Sequence, residues 1–190
     1  AAVALGGLDF AFNNAGVSLD KAHRLHEVPL ADWRASFDVN VHGVFHAMRA
    51  ELAAMLNGTS SSGGSIVNVG SVFSEACLAG STGYCATKHA VVGLTKAAAL
   101  QYASDGIRVN TLSPGFSPTE MTSGLVDAEQ RGAPVIPHVH PAGRWLQNSE
   151  VVNALHWLWS DQSSFYSGQN LILDSGLTSA LVPPALWAQK

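Results

Sequence analysis

Short apolar runs that stop at turn-forming residues alternate along this chain with longer segments of helical periodicity. The apolar runs predict β-strands over residues 8–12, 65–69, 107–112 and 170–173. Apolar residues recur at helical spacing over residues 32–56 and 84–102, which predicts two amphipathic helices. Ser149 is placed to cap a third helix that includes Val151 and Leu155. This alternation predicts an α/β fold with a parallel sheet and right-handed crossovers.

Polar and turn-forming residues follow three of the predicted strands directly. Asn14 follows the first strand, Ser71 the second, and Pro114-Gly115 the third. Because ligands of parallel α/β sheets bind beyond the carboxyl ends of the strands, we expect these residues to converge on one rim. That rim is the predicted functional site.

Tyr84 and Lys88 are the strongest chemical signal in the sequence. They lie four residues apart at the start of a predicted helix, so both side chains leave the same helical face. An ammonium held close to a phenol favours the phenolate, and we therefore expect Lys88 to lower the pKa of Tyr84. A tyrosine tuned in this way can transfer the proton that moves when a carbonyl and an alcohol interconvert.

The remaining rim residues offer polar groups but no evident nucleophile. Ser71 adds a hydroxyl and Asn40 an amide, while no Gly-x-Ser-x-Gly elbow is present, which disfavours a hydrolase. A proton donor without a nucleophile suggests that a cofactor brings the reacting species. Hydride transfer fits this arrangement.

Composition limits the remaining classes of function. The 190 residues predict a single domain, and 47% hydrophobic against 13% charged residues predict a well-buried globular core. A net charge of −4 does not indicate binding to nucleic acid or to an anionic membrane. No apolar run approaches the ~20 residues of a membrane span. Cys77 and Cys85 form no CxxC pattern, so we expect reduced thiols and a cytoplasmic protein.

Several of these residues together resemble the short-chain dehydrogenase/reductase family. The motifs are Asn13-Asn14-Ala15-Gly16, Asn40, Ser71, Tyr84-x-x-x-Lys88, and Pro114-Gly115 followed by Thr119. Ser71 and Tyr84 are thirteen positions apart, which suits the family's spacing. The resemblance runs from about residue 7 to residue 178 and implies a Rossmann-like, doubly wound parallel sheet.

The resemblance implies a role for each catalytic candidate. Tyr84 would be the general acid for carbonyl reduction and the general base for alcohol oxidation, and Lys88 would lower its pKa. Ser71 would bind the substrate oxygen. Asn40, at an irregular point of its helix, would support a water-linked proton relay. No metal is implied.

The resemblance also implies a cofactor, NAD or NADP, and a lid. Lys88 would hold the ribose hydroxyls of the nicotinamide, and the other residues expected beside the cofactor are Asn14, Ala15, Gly16, Tyr84, Pro114, Gly115, Ser117 and Thr119. The segment of about residues 116–144 would form a substrate lid, with Met121, Leu125, Val126 and Ile136 giving an apolar pocket. Gly70 stands where many relatives carry a second serine, a change that we expect to be tolerated.

One motif of the family does not occur in this sequence. The phosphate-binding Gly-x-x-x-Gly-x-Gly, which follows the family's first strand, is absent from the 190 residues. We therefore expect one partial Rossmann-like domain, with about four of seven strands, that is a fragment impaired in cofactor binding. Its first strand would be an exposed edge.

Eight histidines raise the alternative of a metal site. His42 and His46 are four apart on one helix, and His138 and His140 lie in the expected lid. A zinc site needs further ligands in a defined geometry, and no cysteine or acidic partner is placed by motif, so we predict none. Contact of His138 or His140 with substrate stays open.

Two functions remain in view from the sequence. The first is an NAD(P)(H)-dependent oxidoreductase that interconverts a secondary alcohol and a ketone, as a homodimer or homotetramer. The alternative is a non-catalytic remnant that acts through the subunit interface. A dehydratase or epimerase built on Tyr84 and Lys88 is a weaker third reading, because no extended substrate domain is present.

Overall fold

Four parallel strands form the centre of the protein. The computed structural model describes residues 6–19, 22–58, 63–135 and 139–179. The strands lie in the order β1-β2-β3-β4, and each pair of neighbours is parallel; their bounds are Phe10–Asn13, Gly64–Val69, Ile107–Pro114 and Asn170–Leu173. The α/β prediction is confirmed, with the four predicted strands in place.

Helices connect the strands and pack on the sheet. The α-helices, numbered α1 to α5, are Leu30–Phe37, Gly43–Leu56, Thr82–Tyr102, Ser123–Gln130 and Asn148–Trp159. A π-helical segment, Asp38–His42, joins α1 to α2 without a break. Single 3-10 turns cover Leu25–Glu27, Val72–Ser74, Ala103–Asp105, Glu120–Thr122, Asp161–Ser163 and Leu177–Ser179.

Both faces of the sheet carry a hydrophobic layer. Ile66 of β2 packs with α2 and α3 on one face, whereas its neighbour Val67 packs with Leu155 and Leu158 of α5 on the other. Successive residues of a strand point to opposite faces, so one buried strand supplies both layers. This two-sided burial is the doubly wound arrangement expected from the sequence.

Strand and helix ends differ from the sequence-based bounds by about two residues. Strand β3 continues to Pro114, because Pro114 still pairs with Leu173 and the amide of Gly115 donates to the Leu173 carbonyl at 2.8 Å. Helix α3 begins at Thr82, one half-turn before Tyr84. Helix α4 was not predicted, since its residues lay in the segment expected to be a lid.

A membrane-crossing helix is not found in the described part of the chain, where none combines the length and apolar character of a span.

Candidate active site

Tyr84 and Lys88 lie in the first turns of α3, at the carboxyl ends of the strands. Both side chains are buried, and the Lys88 Nζ lies 5.5 Å from the centroid of the Tyr84 ring. The Lys88 ammonium donates to the carbonyl of Val69, the last residue of β2, at 2.8 Å. This bond fixes the ammonium beside the strand end and leaves its other donor positions for the cleft.

Burial dominates the ionisation of this pair. Loss of solvent lowers the pKa of the Lys88 ammonium to about 8. Burial also raises the pKa of the Tyr84 phenol; a side-chain hydrogen bond with Ser71 opposes this shift, and Cys85 adds to it. The expected net lowering of the Tyr84 pKa is therefore wrong in direction, because desolvation of the phenolate outweighs the favourable interactions around it.

Ser71 holds its hydroxyl at the site through a local cap. It precedes the 3-10 turn Val72–Ser74, and its Oγ accepts a hydrogen bond from the Phe73 amide at 3.2 Å. The Ser74 hydroxyl accepts in turn from the Ser71 amide at 3.1 Å. With its hydrogen bond to Tyr84, the Ser71 side chain is oriented from both sides.

Asn40 ties three separate segments together. It lies in the π-helical segment with 1% of its surface exposed, and its side chain bonds both the N–H and the C=O of Val17, at 2.8 and 2.9 Å. Its Nδ2 also donates to Thr87 Oγ1 at 3.0 Å, and Thr87 donates to the Tyr84 carbonyl at 2.8 Å. The amide thus connects the turn after β1 to the start of α3.

A cleft of about 690 Å³ is lined by Ser71, Tyr84 and Lys88, whereas Asn40 does not line it. Of the residues predicted beside the cofactor, those lining it are Asn14, Gly16, Tyr84, Lys88, Pro114, Gly115, Ser117 and Thr119. Ala15 lies between two of them but does not line it. A Cβ at Gly16 would lie 3.5 Å from Lys88 Nζ and 3.4 Å from Asn40 Oδ1, so glycine keeps the space beside the ammonium open.

The remaining walls of the cleft are largely apolar. Met121 and Leu125 line it as expected, Val126 does not, and Ile136 lies outside the described residues. Further apolar lining residues, not predicted as part of the pocket, are Leu19, Val72, Phe73 and Phe116. For two of them the sequence offers one clue, which is their position next to predicted site residues. Phe73 follows Ser71 by two residues, and Phe116 follows Gly115 directly.

Gly70 has no room for a side chain. An added Cβ would collide with the Ser113 hydroxyl and would lie 2.7 Å from Thr111 Cγ2 and 2.8 Å from Ser74 Oγ. In this chain the Ser113 and Ser74 hydroxyls occupy the space that a serine side chain would need.

The histidines form no metal cluster within the described ranges, where no group of three His, Cys, Asp or Glu side chains is arranged to hold an ion. His42 pairs with Asp38 at 3.0 Å on an exposed face. His138 lies outside the described residues, and His140 is buried behind the cleft.

Comparison with known proteins assigns the chain to a family. Residues 1–178 match the family model described as Enoyl-(Acyl carrier protein) reductase. A 2,5-dichloro-2,5-cyclohexadiene-1,4-diol dehydrogenase of Sphingobium indicum is 42% identical over 177 residues, which is 93% of this chain and 69% of the relative. The chain belongs to the short-chain dehydrogenase/reductase family.

Two further proteins of the family are similar to this chain over more than nine-tenths of its length. The cyclohexanol dehydrogenase of Acinetobacter sp. strain SE19 is 39% identical over 174 residues, which is 92% of this chain. The chain spans 65% of the length of that relative. The crystal structure of a gluconate 5-dehydrogenase from Burkholderia cenocepacia J2315 with NADP and tartrate superposes with a TM-score of 0.85 at 37% identity, covering 94% of this chain and 68% of that one.

Proposed function

We propose that this site interconverts a secondary alcohol and a ketone with NAD or NADP as the hydride carrier. The observation that carries the proposal is the meeting of Tyr84, Ser71 and Lys88 in one cleft, with Ser71 bonded to Tyr84 and the ammonium beside its ring. A phenol and a hydroxyl that share one hydrogen bond can both reach a single substrate oxygen.

The residues along the cleft fit a nicotinamide cofactor. The space that Gly16 leaves open lies beside the Lys88 ammonium, whose free donors suit ribose hydroxyls. Pro114, Gly115, Ser117 and Thr119 would contact the nicotinamide end. When bound, the cofactor would take a hydride from the alcohol carbon or return it to the carbonyl carbon. The Burkholderia relative was solved with NADP.

The chain's own residues would move the proton. In alcohol oxidation, the hydroxyl proton would pass to the phenolate form of Tyr84 as the C=O double bond forms and the hydride leaves the alcohol carbon for the cofactor. In ketone reduction, Tyr84 donates that proton to the oxygen as it gains charge. Ser71 would hold the substrate oxygen by a hydrogen bond, and the positive charge of Lys88 would stabilise the phenolate.

The cleft favours an uncharged, apolar substrate, and we include a cyclic secondary alcohol in the proposal. Among its described lining residues, Lys88 and Glu120 are the charged ones, so no second cation is available for a substrate carboxylate. Val72, Phe73, Phe116, Met121 and Leu125 supply apolar surface. Two of the relatives are named for six-membered carbocyclic alcohols.

Assembly, location and the lid are further parts of the proposal. Phe45 of α2 is 47% exposed and Leu100 of α3 is 83% exposed, which supports a homodimer or homotetramer built on these helices. We place the protein in the cytoplasm, and we assign the lid to about residues 116–144. A sedimentation measurement that finds only monomer at micromolar concentration would contradict the assembly.

Cofactor binding tests the proposal directly. NADH and NADPH would be titrated into the chain and followed by nicotinamide fluorescence, with Lys88→Met and Lys96→Met variants in parallel. Lys96 is an exposed lysine of the same helix and is the matched control. Because the Gly-x-x-x-Gly-x-Gly motif does not occur in the 190 residues, we expect impaired, weak binding that is still saturable. Lys88→Met would weaken it further by about tenfold or more and Lys96→Met would leave it unchanged, since a bond from a charged group is worth roughly 1.5–3 kcal/mol. Binding that is equal in all three proteins would contradict the assignment of Lys88.

A further inference from the structure

His140 is a buried histidine that the proposed proton transfer does not use. It is 3% exposed, and both ring nitrogens face the backbone. Its Nε2 lies 3.0 Å from the amide nitrogen and 2.9 Å from the carbonyl oxygen of Phe116, and its Nδ1 lies 3.2 Å from the carbonyl oxygen of Asp174. The imidazole therefore connects the residue after Gly115 to the residue after β4.

One tautomer serves two of these three backbone groups. A neutral imidazole with its proton on Nδ1 donates to the Asp174 carbonyl and accepts the Phe116 N–H on Nε2. The Phe116 carbonyl keeps a separate donor, the Leu146 amide at 3.1 Å. The Phe116 N–H and the Asp174 carbonyl are then both served by this single ring.

Gly115 packs directly against this imidazole. A Cβ at position 115 would collide with His140 Cε1 and would lie 3.1 Å from Nε2. The backbone of the turn expected beside the cofactor therefore rests directly against the imidazole. A shift of the ring would move Gly115 and Phe116 together.

A series of aromatic rings extends from His140 to Tyr84. The ring of Phe116 meets His140 at 6.1 Å between centroids and Phe73 at 5.9 Å, and Phe73 meets Tyr84 at 6.1 Å. All three contacts are edge-to-face, with interplanar angles of 80°, 83° and 88°. The Phe73 amide also bonds Ser71 Oγ, so the position of Phe116 bears on both the serine and the tyrosine.

We propose that His140 is a positioning residue for this site. Its Nε2 holds the Phe116 amide, and thereby keeps Phe116 against Phe73 and keeps the turn of residues 114–117 beside the cleft. The role of His140 rests on the proposed function of Tyr84 and Ser71. It contacts neither of them directly and acts through Phe116 and Phe73.

Two amide substitutions separate this role from simple packing. In His140→Gln the side-chain amide reaches the position of Nε2 and can accept the Phe116 N–H. In His140→Asn the amide reaches only the position of Nδ1 and the Asp174 carbonyl. The two variants differ by one methylene, so the difference between them reports the Phe116 contact.

Hydrogen exchange at the Phe116 amide and steady-state kinetics would be measured on both variants. We expect Asn to speed exchange at Phe116 at least tenfold and to lower kcat by about 10²-fold, the cost of misplacing a site by roughly 1 Å. KM would change less than kcat. Gln would restore both measurements to within a few-fold of the parent. His156→Gln, at an exposed position of α5, is the control and would change neither.

Two results would overturn the proposal: unchanged exchange and kcat in His140→Asn, or equal losses in His140→Gln and His140→Asn. The exchange measurement needs no turnover. It therefore tests the contact even if the parent oxidises no alcohol, a result that would count against the proposed function instead.

Discussion

At the scale of single residues, the site depends on two buried groups whose charged forms are disfavoured by burial. The pKa of Lys88 falls to about 8, and the pKa of Tyr84 rises. Below pH 8 the lysine is charged and the tyrosine is a phenol, which is the combination that ketone reduction needs. Above pH 8 the lysine loses its proton before the tyrosine does.

This order of ionisation predicts the pH dependence of ketone reduction. We expect kcat/KM for cyclohexanone to be level near neutral pH and to fall above about pH 8, because neutral Lys88 no longer stabilises the developing phenolate. The measurement is a pH profile of the parent beside Lys88→Met. In the variant we expect a low rate without that fall. An identical fall in both proteins would assign the titration to another group.

The sequence predicted the proximity of this pair but not its electrostatics. A spacing of four residues on a helix is enough to bring Tyr84 and Lys88 together. The depth of both groups under the strand ends depends on the packing of α3 against the sheet, which the spacing does not contain. For that reason the predicted direction of the Tyr84 pKa shift was wrong.

At the scale of elements, the ends of the strands determine the geometry of the cleft. Gly70 follows β2 and lies against Ser113 of β3 and Ser74 of the next turn. Ser71, the next residue, bonds Tyr84 from this closely packed strand end. Strands β2 and β3 and the 3-10 turn Val72–Ser74 pack so closely at Gly70 that only glycine fits there.

Substitution of this glycine tests the packing. We expect Gly70→Ala to destabilise the protein by about 1–3 kcal/mol, since an added methyl must displace the Ser113 and Ser74 hydroxyls and the Thr111 methyl. Gly93→Ala is the control: a Cβ there meets nothing within 4 Å, and alanine in this helix should stabilise by roughly 0.5–1 kcal/mol. Chemical denaturation measures both. A Gly70→Ala protein as stable as the parent would show that the hydroxyls move aside freely.

The hydrophobic pattern predicted the four strands but not the π-helical segment. Each predicted strand lies within two residues of the observed one, because a buried parallel strand is a continuous apolar run. The π-helical segment is invisible to that pattern, since apolar residues continue through it at spacings of three and four, as at Phe37, Val41 and Val44. It is seen instead in the bond from the Gly43 amide to the Asp38 carbonyl, and only the family resemblance pointed to irregularity at Asn40.

At the scale of the whole molecule, the parallel sheet explains how distant residues meet. Ser71, Tyr84 and the residues after Pro114 come from three segments, and the common direction of the strands brings them to one rim. Asn40 lies behind that rim and is bonded to Val17 and Thr87. The rim and the catalytic candidates could be predicted from sequence. The apolar wall of Phe73 and Phe116 could not, because it arises from turns after two different strands.

The shape and charge of this cleft predict the class of substrate. We expect a higher kcat/KM for cyclohexanol than for gluconate, by at least about tenfold, because the described lining offers apolar surface and no second cation for a carboxylate. The rates would be compared with both cofactors at one pH. A preference for gluconate would contradict the proposed substrate and leave the assignment of Tyr84 intact.

The most direct test of the central claim is turnover by the parent and by Tyr84→Phe with cyclohexanol and either cofactor. The phenylalanine keeps the ring against Phe73 and removes only the hydroxyl that we propose transfers the proton. We predict that the parent reduces the cofactor and that kcat of Tyr84→Phe is lower by about 10²–10⁴-fold, with cofactor binding and melting temperature retained. A variant within a few-fold of the parent, or a parent that turns over with neither cofactor, would contradict it.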